Sequence, residues 1–517
     1  MSRQGAAGEG FFFFEKKKQK TFALGSFRWA CVHFVLAGCA VGPDFKRPAA
    51  PAGAGFTAAN LPDTAATMID GGRSQRFVTD LDIPAQWWAL FRSPELDRLV
   101  TRAIAANPNL DAARAALRQA HELAAAQWTS FLPVVTANAS AQRAKNANSA
   151  VATPVNTLSP YYSLYTGQLN VSYAPDVFGA TRRTVEAARA QEEATRFQLE
   201  AVYLTLASNV VVTAIQAASL REQMAATRRL LALQHGLTEK TRGQRRLGAA
   251  SELDILTQQA AEAATAQTLP PLQKQAAQAQ DALAALLGRV LADQPEASLR
   301  LADLTLPADL PVSLPSKLVE QRPDIRQAEA NLHAATAQVG IAIANMLPQI
   351  SLSADIGTSA LHTGELFAPG FGFWTLGTSA TQTIFDAGAL LHKRRAADAA
   401  MQQAAAQYRA TVIGAFQNVA DALRALQTDA DALKSSADSE VVAQHSFELA
   451  RRQFGLGTVS EVTMMAAEQN YRQATLALVQ AQASRYADTA GLFEALGGGW
   501  WNRPLEAQNE SPGATTR

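Results

Sequence analysis

The sequence predicts a mainly α-helical chain that also carries membrane β-strands. It is arranged as a two-fold internal repeat, with four strands and long coiled-coil helices per chain. Three observations predict this. Several blocks of residues recur in the same order about 200 positions apart. Short segments alternate apolar and polar side chains, and two very long stretches step their apolar residues by four and three.

Residues 1–38 read as a signal peptide. Lys16, Lys17, Lys18 and Lys20 make a positive n-region, and Phe22–Val35 a short apolar core interrupted by Arg28 and His33. Leu36, Ala37 and Gly38 then lead into Cys39. Small residues directly ahead of a cysteine resemble a bacterial lipoprotein signal, so Cys39 is the expected lipidation site, carrying palmitate-type acyl chains. One chain anchors weakly, whereas two or more anchor firmly. Cys31, the other of the two cysteines, leaves with the signal, so no internal disulfide is expected. In such lipoproteins an Asp after the cysteine commonly retains the product at the inner membrane, and Ala40 is compatible with delivery to the outer one. Residues 39–82, rich in Pro, Gly and Ala, read as a lipidated extended tether.

The repeat organises the rest. NPNLDAARAALRQAHELAAAQWTSFLPVVTANAS from Asn107 aligns without a gap to RPDIRQAEANLHAATAQVGIAIANMLPQISLSAD from Arg322, an offset of 322 − 107 = 215. LGAASELDIL from Leu247 matches LGTVSEVTMM from Leu456 at an offset of 456 − 247 = 209, as does Leu287-Gly288 with Leu496-Gly497. The expected layout is therefore a first repeat over 83–288, a Pro-rich linker over 289–314, a second repeat over 315–498 and a tail over 499–517.

Each copy reads as short helix, strand, strand, long helix, turn and medium helix. The short helices start at Asn107-Pro108 and Arg322-Pro323, where Pro near the first turn loses no hydrogen bond. Strands follow over Leu164–Ala174 and Gln349–Ser359, with partners over Pro133–Lys145 and Phe371–Thr383. Tyr165, Leu169, Val171 and Tyr173 alternate with Thr166, Gln168, Asn170 and Ser172. About ten residues suffice for a tilted strand to cross a bilayer, although a soluble sandwich alternates in the same way. The long helices run from Thr181 to Arg246 and from Gly388 to Phe454. Their seams, Ala190-Ala194-Phe197-Ala201-Leu204-Ser208-Val211-Ile215-Ala218 and Val412-Phe416-Val419-Leu423-Leu426-Ala430-Leu433, keep a coiled-coil period. Some 65 residues give a rod of about 100 Å, longer than a globular core of this size. Four strands cannot close a membrane barrel, and open edges are not tolerated in lipid. Two copies of the chain supply eight strands and a filled interior; three supply twelve, wide enough for a lumen.

Composition excludes other classes. A net charge of +1 argues for no nucleic-acid surface. His121, His235, His333 and His445 lie in helical stretches without a second ligand at metal spacing and read as solvated. No Ser-His-Asp spacing, phosphate loop or metal cluster appears, so no enzyme activity, cofactor or metal site is expected, and Gly497-Gly498-Gly499 reads as a helix stop.

These residues resemble the TolC-like outer-membrane efflux channels, in particular the NodT-type lipoprotein branch. The resemblance rests on CAVGPDFKRP from Cys39, WWALFRSPELDRLVTRAIAANPNL from Trp87, APDVFG from Ala174, LPSKLVEQRPDIRQAEANLHAA from Leu314, IFDAG from Ile384, and the LGAAS and LGTVS blocks. It implies a homotrimer with a 12-stranded β-barrel in the outer membrane and an α-helical periplasmic tube, anchored to outer-membrane lipid through Cys39. It also implies a passive duct fed by an inner-membrane pump, usually of the resistance-nodulation-division class, through a periplasmic adaptor protein.

In that family the LG blocks mark the periplasmic tips, here Leu247, Gly248, Leu456, Gly457 and Thr458, where the adaptor docks. Acidic residues just beyond them often close the tube. Asp254 stands at the matching place, with Glu252 and Glu461 as further gate candidates. The second copy departs from the pattern, with Thr463 and Ala466 at its corresponding positions. Tyr161, Tyr162, Tyr165, Phe371, Phe373 and Trp374 are candidates for an interfacial girdle. The same fold also serves type I protein secretion or metal export, the alternative reading. A periplasmic adaptor would carry one helical hairpin in a β-rich frame, which the repeat argues against.

Overall fold

The computed structural model describes residues 40–50, 55–56, 61–145, 161–289 and 299–503. Cys39, and with it the lipidation site, lies outside the described residues. In chain order the elements are β1 (Arg76–Thr79), α1 (Pro94–Ala106), α2 (Pro108–Trp128), β2 (Val134–Lys145), β3 (Tyr161–Tyr173) and α3 (Ala180–Arg246). Then follow α4 (Glu252–Ala266), α5 (Leu269–Leu286), β4 (Asp309–Val312), α6 (Pro315–Gln321) and α7 (Pro323–Ala344). The chain continues through β5 (Gln349–Ala360), β6 (Gly372–Thr381), α8 (Ala389–Gly455) and α9 (Glu461–Ala495).

β2, β3, β5 and β6 form one antiparallel sheet in that order. The register pairs Asn138 with Gln168, Asn170 with Asp355 and Asp355 with Thr375, so these residues share a face with Thr136, Thr166, Ser172 and Ser353. The opposite face carries Val135, Leu169, Val171, Leu352, Ile356, Trp374 and Leu376. Leu169, Ile356, Trp374 and Leu376 are exposed, so this chain leaves its apolar face uncovered. Among the described residues, the outer edges of β2 and β6 have no strand partner. Of the girdle candidates, Tyr161, Tyr165 and Trp374 lie on the apolar face. Tyr162 and Phe373 lie on the polar one, because the period of two puts neighbours on opposite sides.

α3 and α8 each run 67 residues, about 100 Å at 1.5 Å per residue. α3 packs against α2 and α7 toward the sheet and against α5, α4 and α9 farther down, while α8 packs against α7 and then α9. The seam residues Ala190, Ala194, Phe197, Ser208, Val211, Ile215 and Ala218 are buried, as are Val419, Leu423, Leu426, Ala430 and Leu433. One window of α3 is apolar and long enough to cross a bilayer, but half of it is buried inside the chain, as befits a core helix.

The two copies differ below the sheet. α9 is continuous, whereas its counterpart is divided into α4 and α5. Pro270 and Pro271 stand in the first turn of α5, and a proline inside an unbroken helix would lose a hydrogen bond and clash with the preceding turn.

The described residues of the linker and the tether pack onto the helices. Leu299, Leu301, Leu304, Leu306 and Leu310 of the linker are buried in the main core with Trp87, Trp88, Phe91, Tyr486 and Phe493. β4 of the linker pairs in parallel with β1 of the tether. Trp87 stacks on Phe493 at 5.5 Å between ring centres. The expected tail begins with packed residues too: Trp500 donates to the Gln321 carbonyl at 2.6 Å, and Arg503 pairs with Glu200. Apolar leucines at irregular spacing carry no period, so the sequence pattern does not show this belt.

The N-terminal strap, residues 40–50, lies along α3 and α7. Arg183 is buried and joins Asp44 at 2.6 Å and Glu186 at 2.7 Å. Arg47 reaches Glu329 at 3.1 Å, and Phe45 stacks on His333 at 4.3 Å. His121, His235 and His333 are each paired with a glutamate, not merely solvated. Farther along, Thr64 accepts from the buried Arg485 at 2.7 Å. Burial lowers the Arg485 guanidinium to about 10. Burial, then its hydrogen bond to Asp488, pushes the neighbouring Asp429 up to about 7.

Two predictions follow from these contacts. Gly42 has φ +97°, and a Cβ there would lie 2.5 Å from the Gly340 Cα. Gly42→Val should lift the strap, giving faster proteolysis within residues 40–50 while α3 and α7 keep their hydrogen-exchange protection. The raised Asp429 means the folded chain holds a proton that the unfolded chain releases above about pH 4. Its stabilising contribution is full below that pH and lost as pH rises through about 7. Thermal unfolding of Asp429→Asn should show a flatter pH dependence between pH 5 and 8 and a higher midpoint above pH 7.

Candidate functional site at the helix-hairpin tips

The far ends of the two long hairpins are built alike. α3 ends at Leu247-Gly248 and α8 at Leu456-Gly457, and both glycines have φ +74°. In the first turn, Gly248 N donates to Arg245 O at 2.8 Å and Ala249 N to Gln244 O at 2.9 Å. In the second, Gly457 N donates to Phe454 O and Thr458 N to Gln453 O, both at 3.0 Å. These are paired Schellman closures, which require the left-handed conformation that glycine adopts without strain. Nothing lies within 4 Å of a Cβ built on either glycine, so the requirement is conformational and not steric. The Thr458 hydroxyl adds a bond to Gln453 O at 3.1 Å.

The helices then restart on serine caps. Ser251 Oγ accepts from Asp254 N at 3.2 Å, and Asp254 Oδ2 accepts from Ser251 N at 2.7 Å, a complete capping box. Ser460 caps Thr463 N at 3.3 Å, and Thr463, having no carboxylate, cannot return the bond in the same way. Those bonds with Ser251 hold the Asp254 carboxyl below the usual range.

The three acidic candidates do not behave as a set. Glu252 pairs with Arg245 across the turn. Glu461 is partly buried; burial raises its carboxyl, the nearby Gln258 amide lowers it, and the charge of Asp254 raises it. Asp254 and Glu461 therefore share one electrostatic site between α4 and α9, while Glu252 is turned toward α3.

Around them lies an exposed apolar surface. Leu247 is 86% exposed, Leu456 79%, Val462 72% and Leu253 70%, and Leu256 is exposed as well. Above it is a polar seam that the sequence pattern did not single out. Gln234, Thr238 and Thr241 of α3, Gln258 and Thr265 of α4, and Glu468 of α9 are all buried. Arg472 of α9 bonds Thr265 of α4 at 3.0 Å. Burial raises the Glu468 carboxyl, and one of its oxygens has no partner, like both polar atoms of the Gln258 amide. The signal for these residues was polar side chains at seam positions, legible only once the neighbouring helix is known. No group of three or more potential metal ligands occurs among the described residues.

A sequence profile of the outer membrane efflux protein family matches residues 99–289 and 314–498. The chain belongs to this family. It is similar to the pyoverdine export outer membrane protein OpmQ of Pseudomonas putida, at 30% identity over 80% of this chain and 88% of that one. It is 29% identical to the toluene efflux pump outer membrane protein TtgC of Pseudomonas putida, over 93% of this chain and 97% of the other. Among solved structures, the outer-membrane channel OprN superposes with a TM-score of 0.79 at 29% identity, over 89% of this chain and all of that one. The family is one of outer-membrane efflux channels.

The tip geometry makes two predictions. A depressed acid stabilises above its ordinary range, and the contribution is lost as pH falls through the lowered value. The first turn of α4 should therefore exchange its amide hydrogens faster at pH 3 than at pH 7 after correction for intrinsic rates. Ser251→Ala should abolish that pH difference. Gly248→Ala should weaken the end of α3 by about 1–2 kcal/mol, the strain of a left-handed Cβ-bearing residue, read as faster exchange over residues 240–250.

Proposed function

We propose that three copies of this chain close one twelve-stranded barrel in the outer membrane, and that the assembly is the passive exit duct of a tripartite efflux system for small molecules. The observation that carries this reading is the four-stranded sheet with two unpaired edges, joined to helices about 100 Å long. In lipid, backbone donors and acceptors must be paired, so the edges of β2 and β6 need sister strands. The apolar face then meets lipid and the polar face lines a lumen.

An inner-membrane pump and a periplasmic adaptor supply the substrate and the energy, and the duct performs no catalysis. The exposed leucines and Val462 at the tips suit the apolar face of an adaptor hairpin. Asp254 and Glu461 stand where three symmetry-related pairs would narrow the entrance and favour cations. The lipid on Cys39 would act as an accessory anchor at the inner leaflet: the described chain begins beside the sheet end of α3, where Val41 N donates to Phe178 O at 3.2 Å. The relatives' substrates, pyoverdine in one and toluene in another, favour small-molecule export over protein secretion for this chain.

Planar-bilayer recording of the purified protein tests the duct and its gate together. The expected result is a trimer with low conductance, raised by Asp254→Ala with a weaker cation preference. Conductance and selectivity unchanged in that variant would remove Asp254 from the gate; a monomer that never conducts would end the duct reading. Leu247→Asp with Leu456→Asp should abolish adaptor binding without altering conductance.

A further inference from the structure

We propose that Asp355 forms a ring of three carboxylates inside the barrel that concentrates permeant cations, a second charge filter far from the tips. The inference rests on the duct reading above, which places the polar face of the sheet around the lumen.

The observations are local and specific. Asp355 is the only charged side chain on the polar face of the described strand residues, the face shared by Thr136, Asn138, Gln168, Asn170 and Thr375. Arg143 and Lys145 fall on the opposite face, in register with Ser163 and Tyr161. The carboxylate is also held in place. Asn170 donates its amide N–H to Asp355 Oδ1, and the Asn170 carbonyl accepts from Asn138 at 2.6 Å and Gln168 at 3.2 Å. These amides form a lateral row across β2, β3 and β5 that fixes the Asp355 side chain against the wall. They bond the carboxylate without neutralising it, and no cation on that face of the described strands opposes it.

Geometry decides what such a ring can do. Twelve strands spaced about 4.8 Å apart and tilted about 40° enclose a barrel about 24 Å across between backbones. Three carboxylates on its wall then stand about 15 Å apart, too far to bind one dehydrated ion together. They act through their field, as charged rings do in cation-preferring pores. That field reaches across the lumen at 10 mM salt, where the screening length is about 30 Å, and collapses at 1 M, where it is about 3 Å. The ring therefore steers ions and charged solutes and does not close the pore, unlike a carboxylate ring at a narrowed tip.

The test is the reversal potential of the reconstituted full-length trimer under a KCl gradient, once near 10 mM and once near 1 M. The wild type should prefer K⁺ at low salt and lose most of that preference at high salt. Asp355→Asn should lower the K⁺-over-Cl⁻ permeability ratio by roughly two-fold at low salt and leave it unchanged at 1 M. Thr375→Asp, placed opposite Asp355 in the register, should restore the ratio in the Asp355→Asn background. Thr375→Lys in the otherwise native chain should lower the ratio even if Asp355→Asn fails to assemble. An unchanged low-salt ratio in Asp355→Asn, or a ratio indifferent to Thr375→Lys, overturns the ring. A wild-type protein that forms no pore defeats the duct reading instead, which keeps the two failures distinct.

Discussion

A backbone amide has no partner in hydrocarbon unless the protein supplies one, and this chain supplies too few. β2, β3, β5 and β6 satisfy one another, but among the described residues the outer rows of β2 and β6 remain bare. Everything larger in the architecture answers that deficit. The apolar face of the sheet, with Leu169, Ile356, Trp374 and Leu376 exposed, is wrong for water and right for acyl chains. The polar face is wrong for lipid and right for a wet lumen. A sheet with two such faces and two open edges is stable only as a sector of a closed cylinder, because closure alone removes edges. The long helices inherit the same requirement, since each continues from a strand and must follow the cylinder the strands define.

A rod 67 residues long cannot be held by its ends, and the chain holds it in the middle. The apolar core concentrates where α1, α3, α8 and α9 meet the linker leucines and Trp87, Trp88 and Phe91. Tether, linker and tail all converge near this level through Arg485–Thr64, Tyr486–Leu304, Trp500–Gln321 and Arg503–Glu200. Segments far apart in sequence thus act as a belt around the two long helices, which otherwise meet only the shorter helices packed along them. The alanines of the α3 seam, Ala190, Ala194 and Ala218, bury little area each, and the belt adds larger apolar side chains beside the seams.

Periodic features were legible in the sequence and aperiodic ones were not. The strands lie within a few residues of their expected bounds because period two is unambiguous over ten residues, as with β5 at Gln349–Ala360. The long helices end at the glycines of the two LG blocks, Gly248 and Gly457, because a left-handed turn is a local instruction. The parallel pairing of β1 with β4 joins segments more than 200 residues apart through four residues each, and no short-range pattern records it. The division of α4 from α5 was written in Pro270-Pro271 but is masked by the continuity of the matching stretch in the second copy. At the site, the sequence marked the glycines and acids. It did not mark Gln258 or Glu468, whose meaning comes from the helix they face.

The contrast between the belt and the tips carries the mechanism furthest. Around the belt, burial is apolar and aromatic. Toward the tips the core thins to a small cluster around Leu237, Phe447, Ala450, Met464 and Ala467, with Phe447 stacked on Tyr471 at 5.8 Å. Beside it the buried side chains become polar, and several of their atoms lack partners. An unpartnered buried amide or carboxylate weakens the packed arrangement and is relieved when water enters. Separating α3 and α4 from α9 at the tips would hydrate Gln258 and Glu468, whereas separating the same rods at the belt would expose Leu426, Tyr486 and Phe493. The free-energy cost of opening therefore falls along the rod from belt to tip. Rods packed this way yield most readily at the tips and are held most firmly at the belt. Asp254 and Glu461 lie at that end, so the gate proposed for them would meet the least resistance from packing.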